Sequence, residues 1–168
     1  MSHGINIRAV PYDHPDAAAL DAQVQVEYRQ RYDGEGDATF LDPAMFLPPN
    51  GLYLLAYDGA GNPVASGAWR RQEKNDEGYS DGDAEIKRMY VVPQARGLGL
   101  ARRILAELET DALAAGRTRM VLETGDKQPE AIALYLSSGY ALSEKFGYYR
   151  DYPSSRCMAK PLRAAVGT

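Results

Sequence analysis

Two glycines and three arginines lie close together at residues 96–103, directly after a run of β-branched and aromatic side chains. That run ends at Pro93, the glycines follow at Gly97 and Gly99, and an amphipathic stretch begins at once. Glycine lets a backbone approach a ligand closely and adopt a positive φ. The first turn of a helix carries unpartnered N–H groups and a partial positive charge. This order of residues predicts a cradle for the phosphates of a cofactor.

The glycine turn differs from the two best-known phosphate-binding patterns. A P-loop requires Gly-x4-Gly-Lys-Ser/Thr, and no such string occurs in the chain. The dinucleotide fingerprint Gly-x-Gly-x-x-Gly fails because Arg102 stands where its third glycine belongs. Taken alone, the turn also fits a plain connection from a strand to a helix with solvated arginines. Other motifs in the chain are therefore needed to distinguish a phosphate site from a structural turn.

The hydrophobic pattern predicts the elements that must hold this turn. Strands are expected at 5–10, 51–57, 63–71, 85–92, 119–124, 140–143 and 156–160. Helices are expected at 16–30, 98–115 and 129–138, with a short one at 44–47. Hairpin strands come first and a β-α-β-α-β run follows, which predicts a mixed α/β (α+β) fold.

Composition excludes several classes of protein. The chain has 168 residues, 45% of them hydrophobic, which is typical of a single globular domain spanning 1–168. One cysteine excludes an intramolecular disulfide, and with only two histidines we expect no metal site. A net charge of −4 opposes a nucleic-acid partner. The N-terminal residues resemble no export signal and no run resembles a membrane span, so we expect a cytoplasmic protein with no membrane partner.

The glycine turn resembles the acetyl-CoA-binding motif of the GNAT superfamily of N-acetyltransferases, Gln/Arg-x-x-Gly-x-Gly/Ala. The chain fits this pattern in two registers, Gln94, Gly97 and Gly99, or Arg96, Gly99 and Ala101. The stretch 131–140, where Leu-Tyr is followed by Gly-Tyr, resembles the second signature of the family. The resemblance implies a mostly antiparallel central sheet with splayed parallel strands and flanking helices. It also implies acetyl-CoA as acyl donor and leaves a homodimer open.

By this resemblance, three groups of residues would bind the donor. The pantetheine arm would lie along Met89, Tyr90 and Val91, where strands 85–92 and 119–124 splay apart. The pyrophosphate would meet the turn residues Gln94, Arg96, Gly97, Leu98, Gly99, Leu100 and Ala101. Gln128 stands where many members have an asparagine that contacts the arm. Glutamine keeps the amide but is one methylene longer.

The resemblance also suggests an acid and a base. Tyr135 matches the tyrosine that protonates the leaving thiolate, and a phenol with a pKa near 10 suits that transfer. The alternative is a core tyrosine on an apolar helix face. Glu85 is the first candidate for the base that deprotonates the amine, and partial burial would raise its pKa. The alternative for Glu85 is a salt bridge to Lys87 or Arg70, and Glu123 is then the second candidate.

The acceptor residues are less well defined. Tyr28, Tyr32, Glu123 and Tyr148 are expected to bind the substrate, since acids and aromatic faces suit a cationic or amphipathic amine. A solvated loop with ordinary packing aromatics is the alternative. Cys157 lies in an apolar strand and is expected to be a buried residue rather than an acyl carrier.

The sequence therefore predicts an acetyl-CoA-dependent N-acetyltransferase. The acetyl group would move to a primary amine of a small molecule or peptide, by direct attack in a ternary complex. The alternative function is a non-catalytic acyl-CoA-binding regulatory domain.

Overall fold

A seven-stranded sheet with helices on both faces forms the protein, and the computed structural model describes residues 4–32 and 40–163. The strands are β1 Asn6–Ala9, β2 Gly51–Tyr57, β3 Pro63–Gln72, β4 Asp83–Val91, β5 Arg119–Gly125, β6 Ala141–Leu142 and β7 Ser155–Pro161. The α-helices are α1 Pro15–Tyr32, α2 Leu100–Ala114 and α3 Pro129–Ser137. Short 3-10 helices span Pro43–Phe46 and Pro93–Ala95.

The strand order is β1-β2-β3-β4-β5-β7-β6, and among the described strands only the β4–β5 pair is parallel. Those two strands pair over Asp83–Glu85 and Arg119–Val121 alone, and then they diverge. Where they diverge, Arg88 of β4 has a φ of 58°, close to a shift in the β3–β4 register. A bulge of this kind bends the strand that carries it. The mostly antiparallel sheet with splayed parallel strands is thereby confirmed.

The helices divide between the two faces of the sheet. On one face, the Tyr57 hydroxyl of β2 donates to Asp16 of α1 at 2.7 Å. On the other face, the Trp69 indole of β3 donates to Asp111 of α2 at 2.9 Å. Side chains alternate along β2, so Tyr57 faces away from Leu52, the cross-strand partner of Trp69. Helix α3 lies on the same face of the sheet as α2. Tyr140 follows α3 in the chain, and its hydroxyl donates a hydrogen bond to Glu109 of α2.

The predicted elements differ from the observed ones mainly at their ends. Helix α2 begins at Leu100 rather than at 98, because Gly99 has a φ of 76° and caps it. Strand β6 has two residues instead of the predicted 140–143. The turn at Pro93–Ala95 was not predicted, although Pro93 fixes a φ that suits the first position of a helix. Within 4–32 and 40–163, no helix is long and apolar enough to cross a membrane.

Candidate active site

A cavity of about 640 Å³ opens where β4 and β5 diverge. Its walls come from β4 at Ile86–Met89, from β5 and the loop after it at Leu122–Gln128, and from α3. Tyr28 of α1 and the loop before β7 complete it. The cavity exists because the parallel pairing stops after Glu85, which leaves a gap in the middle of the sheet.

The glycine turn begins where β4 ends and lies outside the lining of this cavity. Gly97 and Gly99 have φ values of 87° and 76°, a conformation that strains any residue with a Cβ. A Cβ at either position would meet nothing within 4 Å, so the space beside the turn is open. The first helical hydrogen bond of α2 runs from the Arg103 N–H to the Gly99 carbonyl. The amides of residues 100–102 therefore have no acceptor one turn back, as a phosphate cradle requires.

The predicted donor-binding residues occupy different environments. Met89 and Gln128 line the cavity. The Val91 carbonyl accepts a hydrogen bond from Arg96 Nε at 2.9 Å. Tyr90 is buried, and its hydroxyl donates to Gln23 of α1 at 3.3 Å.

The turn residues themselves also divide into exposed and buried side chains. The Arg96 guanidinium contacts the Glu27 carboxylate of α1 at 3.3 Å. Gln94 and Leu98 are exposed, Ala101 is half-buried, and Leu100 is part of the core. Leu100 thus ties the start of α2 to the core, while residues 96–99 of the turn are exposed.

Tyr135 of α3 lies at the cavity wall. It is only 5% exposed, and its ring packs edge-on against Tyr140 with centroids 5.6 Å apart. Burial raises the pKa of Tyr135 above its ordinary value, so the expectation of an unshifted pKa near 10 is wrong. The phenol therefore stays protonated across the physiological pH range, as a proton donor must.

Glu85, the first candidate for the base, lies outside the lining of the cavity. It is 3% exposed, and its Oε1 accepts hydrogen bonds from Arg70 Nε at 2.8 Å and Gln72 Nε2 at 3.0 Å. Its Oε2 accepts a hydrogen bond from the Tyr79 hydroxyl at 2.8 Å. Burial alone would raise the pKa of Glu85, but Lys87 and Arg70 outweigh burial and hold that pKa below its ordinary value. The expected raised pKa is wrong, and the alternative of an ion pair with Arg70 is what the structure shows.

Three of the predicted acceptor residues meet at the cavity. Glu123 of β5, Tyr28 of α1 and Tyr148 of the last loop all line it. The Tyr32 side chain lies outside the described residues. Sequence reasoning missed Asp126 and Ser154, which the loops after β5 and before β7 bring to the same wall. Asp126 directly follows the end of β5, and that position was the available signal.

Cys157 of β7 lies in a small apolar cluster with Tyr79, Val121 and Phe146, away from the cavity. Its sulfur accepts a hydrogen bond from the Phe146 N–H, and burial raises the pKa of its thiol. A buried, protonated thiol is a poor nucleophile, which agrees with a packing role. Among the described residues, no three His, Cys, Asp or Glu side chains are placed to hold a metal ion.

Comparison with known proteins identifies the family. The model of the acetyltransferase (GNAT) family matches residues 18–140. The chain belongs to this family. GNAT proteins are acetyltransferases, so the chain is an enzyme by membership.

Relatives and solved structures agree with this assignment. An IAA acetyltransferase of Azospirillum brasilense is 37% identical over 146 residues, covering 84% of this chain and 92% of the relative. A structure from Klebsiella pneumoniae described as an acyl-CoA N-acyltransferase has a TM-score of 0.77 and 30% identity, covering 95% of this chain and 98% of that one. The spermidine N-acetyltransferase of Vibrio cholerae, solved with CoA and spermine, has a TM-score of 0.65 at 15% identity and covers 95% and 96% of the two chains. That last likeness shows the GNAT fold alone.

Proposed function

We propose that this GNAT protein transfers an acetyl group from acetyl-CoA to a primary amine of a small molecule or peptide. The observation that carries the proposal is that Tyr135 and Glu123 line one cavity where β4 and β5 diverge. Strand β4 runs from this cavity to the glycine turn, so one strand would connect the reacting end of the donor with its phosphates.

The donor site is proposed from the open turn and the diverging strand. The backbone at Met89–Val91 would hold the pantetheine arm, and the amides at Arg96–Ala101 would hold the pyrophosphate. The open space beside Gly97 and Gly99 supports this assignment, since a phosphate could reach the amides without a steric conflict. Gln128, at the cavity wall, would contact the arm through its amide.

The chain's own residues would move two protons. When bound, acetyl-CoA supplies the thioester carbonyl carbon, at which the C–N bond forms as the C–S bond breaks. Glu123 would take the proton that the amine nitrogen loses, directly or through one water. Tyr135 would give its hydroxyl proton to the leaving sulfur. Burial that raises the pKa of the phenol would also raise the pKa of a thiol in the same cavity, so the two pKa values stay close to each other.

Glu123 replaces Glu85 as the first candidate for the base. Glu123 is half-buried and lines the cavity, whereas Glu85 is buried outside the lining and ion-paired with Arg70. A carboxylate must reach the amine to accept its proton, and geometry therefore favours Glu123.

The test is release of CoA from acetyl-CoA in the presence of polyamines, aromatic amines, amino acids and peptides with a free N-terminus. We expect turnover with at least one of these amines, and tight binding of acetyl-CoA in calorimetry. Binding with no turnover across the panel would favour the alternative, a non-catalytic acyl-CoA-binding regulatory domain. Absence of binding would contradict both.

A further inference from the structure

Three tyrosines of the loop before β7 form a continuous ladder on the cavity wall. The ring centroids of Tyr148 and Tyr149 are 4.8 Å apart, and those of Tyr149 and Tyr152 are 5.1 Å apart, both pairs at 77°. All three rings line the cavity, and Tyr28 of α1 adds a fourth tyrosine to the acceptor side. Tyr148 is 54% exposed and Tyr152 is 50% exposed, so much of their ring surface is available to a ligand.

The loop holds this ladder in place before any ligand arrives. The Gly147 N–H donates to the Glu77 carbonyl at 2.8 Å, which fixes the loop to the turn between β3 and β4. Lys145 Nζ donates to the Tyr152 carbonyl at 2.9 Å, and the Ser155 N–H donates to that same carbonyl at 3.0 Å. A preorganised aromatic surface loses little conformational entropy when a ligand binds to it.

The position of the reacting groups decides which part of the acceptor the ladder would meet. The amine must be neutral when it attacks, and it must lie beside Tyr135 and Glu123. An amine placed there leaves the rest of the acceptor to contact the other lining residues, and the three tyrosines are the largest aromatic surface among them. Aromatic side chains bind flat rings in edge-to-face or offset geometry with centroids 4.5–7 Å apart.

The charges of the described lining residues do not favour a second cation at this surface. Lys87, Arg88 and Lys127 are cationic, and Glu123 and Asp126 are anionic. The Arg88 guanidinium is already paired with the Asp21 carboxylate of α1. The Asp126 carboxylate also lies 3.8 Å from the Arg156 guanidinium, which neutralises part of its charge. With Arg88 paired, two lysines and two carboxylates line the cavity, so an acceptor with several ammonium groups would find no excess of negative charge here.

From these observations we infer that the acceptor is a primary monoamine carried on a flat aromatic ring, which packs against the surface formed by Tyr148, Tyr149 and Tyr152. This inference rests on the proposed function, since it names the substrate class of the same cavity. The reaction is the one given above, with the C–N bond forming and the C–S bond breaking at the thioester carbon.

The experiment compares three acceptors in steady-state CoA release, namely 2-phenylethylamine, hexylamine and spermidine. Phenylethylamine and hexylamine both carry an unbranched primary alkylamine and are of similar size, so their difference reports the flat ring. We expect kcat/KM for phenylethylamine to exceed that for each of the other two by about tenfold, the ratio that about 1.4 kcal/mol of ring contacts would give.

Two variants then test whether the tyrosines cause the preference for phenylethylamine. The double variant Tyr148→Leu/Tyr152→Leu should lose most of the about tenfold preference, through a higher KM for phenylethylamine. Both side chains are exposed, so the variant should keep its melting temperature and its Kd for CoA, which verifies folding. Leu142→Ala is the matched control. It removes an apolar side chain that is 67% exposed on β6, outside the cavity, and should keep the preference.

Two results would overturn the inference while leaving the proposed function intact. One is turnover of hexylamine or spermidine as efficient as that of phenylethylamine. The other is a preference for phenylethylamine that survives in the double variant. If acetyl-CoA binds but CoA is released with none of the three amines and with no member of the wider panel, the inference and the proposed function are both overturned.

Discussion

Tyr135 is the residue on which the proposed chemistry depends most. Tyr135→Phe removes one hydroxyl and keeps the ring that packs on Tyr140, so the fold should be preserved. We expect kcat to fall by about 10²-fold or more, the contribution typical of a general acid, with Kd for CoA unchanged. Because burial raises the pKa of Tyr135, the wild-type rate should not decline between pH 7 and about pH 10, the ordinary pKa of a tyrosine. An unchanged kcat in the variant would reject the role.

A pair of matched carboxylate variants separates catalysis from stability. Glu123→Gln should lower kcat by about 10²-fold at neutral pH, with partial recovery at higher pH as more of the amine becomes neutral. Its melting temperature should change little. Glu85→Gln should keep most of kcat but lower the free energy of unfolding by about 3 kcal/mol, since it leaves Arg70 buried without its partner charge. The opposite pattern would restore Glu85 as the base.

These two glutamates show what the sequence could and could not predict for single residues. Tyr135 was found because it lies inside a recognisable motif, and the structure places it at the cavity. Glu85 and Glu123 lie on adjacent strands, and no local pattern says which one faces the gap. That depends on where the β4–β5 pairing stops and on the position of Arg70, which is a tertiary contact.

At the scale of elements, the glycine turn before α2 can be tested by a substitution at each end of that helix. Gly99→Ala places a Cβ on a residue with a φ of 76°, which costs about 1–3 kcal/mol of strain or shifts the turn. We expect weaker CoA binding in calorimetry. Gly116→Ala is the control, because Gly116 has a φ of 86° just past the other end of α2. It should lower stability similarly and leave Kd for CoA unchanged. Equal effects on Kd would contradict the cradle.

Most elements could be predicted because local signals marked them. Pro129 marked the start of α3, Gly116 marked the end of α2, and Asp58 with Gly59 marked the β2–β3 hairpin. The bulge at Arg88 could not be predicted, since an arginine at a φ of 58° has no sequence signature. It accompanies the divergence of β4 from β5, so the feature that opens the cavity was inferred only through the family resemblance.

At the scale of the whole molecule, buried and paired carboxylates predict how stability depends on pH. The pKa of Glu85 lies below its ordinary value, and hydrogen bonds from Arg117 and the Gly82 N–H lower the pKa of Glu73 from 4.5 to about 2. A carboxylate with a lowered folded pKa stabilises the fold above its unfolded pKa. That contribution is lost as the pH falls through the folded pKa.

Urea unfolding should therefore show a midpoint that is stable from pH 7 to about pH 5 and falls steeply between pH 4.5 and about 2. The difference between wild type and Glu85→Gln should be largest at pH 7 and smaller at pH 3, since acid removes the wild-type charge as well. A difference that grows on acidification would mean that Glu85 is protonated at neutral pH in the folded protein.

The central claim is that one strand, β4, connects the glycine turn to the cavity that holds Tyr135 and Glu123. A crystal structure of the protein with CoA bound tests it most directly. We expect the pyrophosphate oxygens within about 3 Å of amides between Arg96 and Ala101, as N–H···O bonds require, and the thiol inside the cavity beside the Tyr135 hydroxyl. CoA with its pyrophosphate away from the turn, or with its thiol outside the cavity, would contradict the account.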